Sequence, residues 1–233
     1  MDPEKLEFLT TLVLYPEETA TAEYKSGIAF DPTSDFGAKL IKHILGQANA
    51  GGGYLIIGFK EEAAGKLIPD PGIDASVSRS YETTRLSQSV DKYLASGQRV
   101  ELQVHKIEAH SATYPVISVQ SFDDSPLFCG RDFKGQDGKF ILKEGAIYIR
   151  DVAAKTVIIA GPDQFRSLLK TAVARRQAEV LAHFRSLLAE MGLSLPSGAT
   201  SPPSVMQESE FRKWFNEQRD SALREMGKIG KKE

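Results

Sequence analysis

The run Asn49-Ala50-Gly51-Gly52-Gly53 constrains this chain more than any other feature, because it separates two patterns that cannot share one element. Before it, Leu40, Ile41, Ile44, Leu45 and Ala48 recur at helical spacing. That stripe predicts an amphipathic helix over Asp35–Asn49, with Asp35 near its start to cap free backbone N–H groups. After it, Tyr54-Leu55-Ile56-Ile57-Gly58-Phe59 is an almost unbroken apolar run of strand length. Such a run predicts a central strand buried on both faces. Glycine enters left-handed backbone conformations cheaply, so the triplet lets the chain reverse sharply between helix and strand.

The same reading extends along the chain. Leu6, Leu9 and Val13 predict a short opening helix that Pro16 stops, and residues 19–25 read as extended, with Glu23 and Lys25 on one face and Tyr24 turned to the core. Pro69, Pro71 and Gly72 mark a loop, and Leu86, Val90 and Leu94 predict another helix ending near Gly97. Strands are expected at 99–107, 115–121, 140–142, 146–150 and 156–159. A long helix is expected over 163–191, closed by Gly192. Helices early and strands later predict an α+β domain, a mixed sheet flanked by helices, over residues 1–192. Residues 193–206 are rich in Ser, Pro and Gly and read as a linker, and 207–233 as a C-terminal amphipathic helix carrying Phe211, Trp214 and Phe215. The helical residues 163–227 are the expected surface for a homodimer or a larger complex.

Composition excludes several classes. No apolar run approaches a membrane span, and the N-terminus lacks the basic-then-apolar pattern of a signal peptide, so a cytoplasmic protein is expected. The single cysteine, Cys129, permits neither an intrachain disulfide nor a cysteine-based zinc site. A net charge of −2 removes overall basicity as an argument for nucleic-acid binding. The first 160 residues are net acidic and the remainder net basic. The four histidines are scattered, and none is assigned to a metal. No Walker loop, zinc-protease helix or serine elbow is present. The glycines of GGGYLIIG precede their strand, the reverse of a dinucleotide loop, so they read as a turn.

The chemistry-bearing residues are acids and bases near the ends of the predicted strands. Glu18, Glu23 and Lys25 lie in the first extended segment, and Lys60, Glu61 and Glu62 follow the apolar run. Carboxylates that meet can hold a divalent cation through oxygen ligands, and such a cation activates water and neutralises charge on a phosphate. Glu18 and Glu23 differ by an odd number of positions, so they converge only if the chain bends between them; otherwise they are surface carboxylates paired with Lys25 or Lys60.

Three blocks together resemble the Alba-like domain of the Schlafen family: Glu18-x4-Glu23-Tyr24-Lys25, then Gln47-Ala48-Asn49-Ala50-Gly51-Gly52-Gly53-Tyr54-Leu55-Ile56-Ile57-Gly58-Phe59, then Tyr148-Ile149-Arg150. The resemblance covers residues 16–160 and implies the α+β fold, with the helices after it as an appendage. It implies nucleic-acid binding, RNA before DNA, and a metal-dependent endoribonuclease acting on structured RNA such as transfer RNA. Glu18, Glu23 and Glu61 (or its neighbour Glu62) match the family's three carboxylates and would hold Mg²⁺ or Mn²⁺. The third is usually Asp, so Glu at this place departs from the pattern, which matters for Mg²⁺ because it demands near-ideal geometry. Lys25, Lys60, Arg150 and Lys155 would contact phosphates. The active family core has two related lobes and this chain has length for one, so a homodimer is implied. The alternatives are a non-catalytic nucleic-acid- or nucleotide-binding regulator, an assembly subunit of a defence complex, or a protein-interaction subunit.

Overall fold

The computed structural model describes residues 2–62, 65–123, 125–151 and 154–190; the expected linker and terminal helix, with Phe211, Trp214 and Phe215, lie outside these. The chain divides into two units, Met1–Leu168 and Leu169–Glu233. The first unit is α+β, built on a four-stranded mixed sheet. Of the second, the described part is the continuation of helix α5 (Pro162–Glu190).

Helix α1 (Pro3–Leu14) begins with proline in its first turn, where a missing N–H costs nothing, and buries Leu9 and Val13. Strand β1 (Ala22–Lys25) runs parallel to β2 (Gly53–Ile57), and between them lies α2 (Asp35–Asn49). Beyond β2, the antiparallel hairpin of β5 (Leu102–Ala109) and β6 (Ala112–Val119) completes the order β1-β2-β6-β5. The apolar run is thus an interior strand, as its sequence requires. One sheet face packs on α1 through Tyr24, Ile56, Ile107, Tyr114 and Val116. The other turns Glu23 and Lys25 towards α2.

Two expectations are corrected. Ser34, not Asp35, caps α2, its hydroxyl accepting from the Gly37 N–H at 3.0 Å; the Asp35 carboxylate instead accepts from the Gln136 N–H at 3.2 Å. The predicted strand 54–59 is broken at Gly58, whose φ of +109° redirects the chain so that Phe59–Glu61 (β3) pairs with Leu67–Pro69 (β4) outside the main sheet. A Cβ at Gly58 would come 2.9 Å from the Tyr114 ring, so the bend and the packing both demand glycine.

The Gly51-Gly52-Gly53 turn behaves as expected. Gly51 and Gly52 take φ of +108° and +93°, and at Gly53 the buried Gln47 carboxamide sits 2.5 Å from where a Cβ would be. Between β4 and β5 come α3 (Ala75–Ser80) and α4 (Thr83–Asp91), where periodicity alone had indicated one helix. Short pairs β7–β8 (Phe133–Lys134, Phe140–Leu142) and β9–β10 (Tyr148–Arg150, Thr156–Ile158) follow, and α2 packs against β8, β9 and β10. At that contact Gly46 brings α2 close to β10, since a Cβ there would lie 2.6 Å from the Thr156 methyl.

Candidate functional site

Alternation along strand β1 turns Tyr24 into the α1-side core and Glu23 into the opposite layer beneath α2. Glu23 is 4 % exposed, a carboxylate that could not stay ionised there without partners. Three side chains from three elements supply them. Lys25 Nζ, two residues along the same strand face, lies 2.5 Å from Glu23 Oε1. His43 Nδ1, at the half-buried border of the α2 stripe, lies 2.9 Å from the same oxygen. The Arg150 guanidinium of β9 binds the other oxygen, Oε2.

Arg150 is 8 % exposed and ties down more than the carboxylate. Its Nε donates to the Ala20 carbonyl and its Nη2 to the Thr19 carbonyl, both at 3.1 Å. The planar fork therefore holds the backbone entering β1 and the Glu23 side chain together, a geometry that lysine cannot reproduce. His43 Nδ1 is also 2.8 Å from Thr156 Oγ1, which links α2 to β10. Lys42 lies alongside, its Nζ 5.6 Å from the centre of the Tyr148 ring.

The electrostatics follow from this arrangement. Burial alone would raise the Glu23 carboxyl, but the hydrogen bond and charge of His43 and those of Lys25 outweigh it and hold it at about 2. His43 is pushed down by burial, and further by Lys25 and Lys42, against the pull of Glu23. Lys42 is also pushed down, by burial and then by Lys39, with Glu23 opposing. Glu23 is thus ion-paired to Lys25 and Arg150, while Lys42 feels its charge through space, with Lys39 acting on Lys42 in the opposite sense.

The other residues singled out from the sequence lie elsewhere. Glu18 and Glu61 are brought to one open cleft of about 590 Å³, with Glu17, Lys66 and Tyr15 in the same lining. Glu23 does not line it. Lys60, exposed on β3, acts on Asp70, whose carboxyl is held down first by N–H donors from Gly72 and Gly27 and more weakly by Lys60. Lys155 is exposed in the β9–β10 turn, one residue before Thr156. Among the described residues no three His, Cys, Asp or Glu side chains gather as metal ligands. Because the Glu23 oxygens are taken by Lys25, His43 and Arg150, the arrangement does not fit a Mg²⁺ or Mn²⁺ site shared by Glu18, Glu23 and Glu61.

Sequence reasoning had paired Glu23 with Lys25 only as a surface alternative and had missed His43, Lys42 and Thr156. One signal was present: His43 borders the buried stripe of α2, one turn after Lys39 and beside Leu40 and Gln47, where a half-buried polar residue needs a partner.

No protein-family model matches the chain, and no curated protein matches it. Among solved structures, the chain is similar to the N-terminal domain of a RecG-related protein from Nitrosomonas europaea, at 20% identity and a TM-score of 0.38, over 54% of this chain and 80% of that one. It is also similar to the DIP2311 protein from Corynebacterium diphtheriae, at 14% identity and a TM-score of 0.40, over 81% of this chain and 37% of that one.

Proposed function

We propose that this chain is a nucleic-acid-binding module of Schlafen-like type, non-catalytic in itself, whose phosphate-contacting surface is the cationic group around Glu23. The observation that carries this reading is that Lys25 and Arg150 pair with a single buried carboxylate whose charge Lys42 also feels. One negative charge cannot neutralise three positive ones. Arg150 is consumed in holding β1, which leaves the partly exposed Lys25 and Lys42, with exposed Lys39 and Lys155 nearby, for phosphate oxygens. Glu23 then acts as a positioning residue that fixes the cations without itself meeting the ligand. RNA is the preferred ligand on the strength of the family resemblance.

A second reading, a metal-dependent endoribonuclease acting on structured RNA, is favoured by one observation: Glu18 and Glu61 share a cleft. The two readings part cleanly in one experiment. The full chain is incubated with labelled transfer RNA and with single-stranded DNA, in Mn²⁺ or chelator, across a salt series. The expected result is a salt-sensitive mobility shift with intact substrate in every lane. In a Lys25→Ala/Lys42→Ala double variant the slope of log affinity against log salt should fall by about 2, roughly one per lost phosphate contact. Metal-dependent fragments that vanish in Glu18→Ala and Glu61→Ala would establish the nuclease instead. No shift even at low salt would overturn both.

A further inference from the structure

The sheet has two edges, and they are treated differently. Beside β1, Arg150 occupies the carbonyls of Thr19 and Ala20 where the chain enters the strand. At the other side β5 is terminal and eight residues long. Its outward-facing peptide groups can be assigned from the register. The Gln120 N–H donates to the Glu101 carbonyl at 2.8 Å, so odd-numbered residues of this strand exchange hydrogen bonds with β6 and even-numbered ones point away. The Val104 N–H agrees: it points outward and is capped by Thr83 Oγ1 of α4 at 3.0 Å. At the far end the hairpin turns at His110 and Ser111, with φ of 47° and 61°. Between these two stops lie the outward peptide groups of Lys106 and Glu108, both with exposed side chains.

We propose that this edge is an interface with a second copy of the chain, the two β5 strands pairing antiparallel about a two-fold axis at Ile107. In that register Lys106 of each copy lies opposite Glu108 of the other, and both residues have outward peptide groups, so each pair exchanges two backbone hydrogen bonds. Residues opposite one another in an antiparallel pair share a face, which sets an ammonium against a carboxylate twice. Shifting the axis to Lys106 or to Glu108 would set like charge against like. The charges that discourage unrelated strands from adding to an edge therefore select one self-pairing register here. Lys106 Nζ also donates to the Ser78 carbonyl within its own chain, but an ammonium has three donors and keeps two for the partner. The interface is independent of the nucleic-acid reading and uses no residue of the Glu23 group.

Sedimentation of the full chain over a concentration series tests it. Wild type should dimerise, Glu108→Lys should weaken the dimer at least tenfold, and the exchange Lys106→Glu/Glu108→Lys should restore it. Because Lys106 has a contact inside its own chain, hydrogen exchange supplies a second readout on unmutated protein. The Lys106 and Glu108 amides should slow as the dimer forms, while Val104, already bonded to Thr83, should not change. A chain that is monomeric throughout would overturn the proposal. So would a dimer indifferent to Glu108→Lys, or one that leaves the Lys106 and Glu108 amides unprotected.

Discussion

Glu18 and Glu23 stand five residues apart in one short segment, and the fold gives them opposite surroundings. Glu18 precedes β1 on exposed chain and borders an open cleft with Glu61. Glu23 sits inside β1, against α2, with every carboxylate oxygen engaged. The difference teaches that a carboxylate's role here follows from which strand face it occupies more than from its place in a motif. A buried ion pair that loses one member leaves an uncompensated charge, whereas an exposed carboxylate loses little.

The largest test of that contrast is Arg150→Ala. It leaves the buried Glu23 Oε2 and the carbonyls of Thr19 and Ala20 without their donor, so unfolding in denaturant should show a loss of about 3–5 kcal/mol. Glu18→Ala and Glu61→Ala should stay within about 0.5 kcal/mol of wild type in the same assay. Comparable losses in both regions would erase the distinction.

Acid comes next. Glu23 is held at about 2 against an ordinary 4.5, so the folded state binds its proton less readily than the unfolded chain. The stability this contributes is present in full above pH 4.5 and is lost as pH falls through about 2. Denaturant midpoints measured across that interval should fall for wild type and fall less for Glu23→Gln, which has no carboxyl to protonate there.

A smaller effect belongs to His43, pushed below its ordinary 6.5 by burial. Here the unfolded chain takes up the proton first, so stability is full above pH 6.5 and declines as pH drops towards the folded-state value. His43→Gln should flatten that part of the profile, and the imidazole resonance of wild type should titrate below the normal range. The smallest expected effect is in the cleft. Glu18→Gln with Glu61→Gln should leave the melting temperature unchanged within error and alter only metal-dependent readouts, which sharpens the comparison if nuclease activity is found.

Much of the fold was legible locally. Helix α2 was delimited by its apolar stripe and the glycines after it, and both of its bounds agree with the structure. Tyr24 was correctly turned to the core because strand alternation is a local property. Two features escaped. The break at Gly58 reads as continuous strand until Tyr114, from another part of the chain, takes the space a side chain would need. The short helix α3, which precedes the expected helix near Leu86, carries no apolar stripe of its own and depends on Asp74, whose carboxylate caps it through the Ser76 and Val77 N–H groups. Of the candidate site, Glu23, Lys25 and Arg150 stand out in the sequence as charged members of the motif blocks, and the fold pairs both cations with the carboxylate. His43 shows in the sequence only as a polar residue bordering a buried stripe.

Periodicity and turn chemistry act over a few residues, which is why helix positions, the central strand and the reversing glycines could be read from residue order alone. The environment of Glu23 could not. Its Arg150 partner is 127 residues away in the chain, and their meeting requires β9 to dock on α2 while α2 docks on the sheet through β2, with His43 reaching Glu23 of β1. Burial, charge compensation and the displaced acidity of that carboxyl come into being only when those three elements pack, because desolvation is a property of the assembled layer and of no segment by itself.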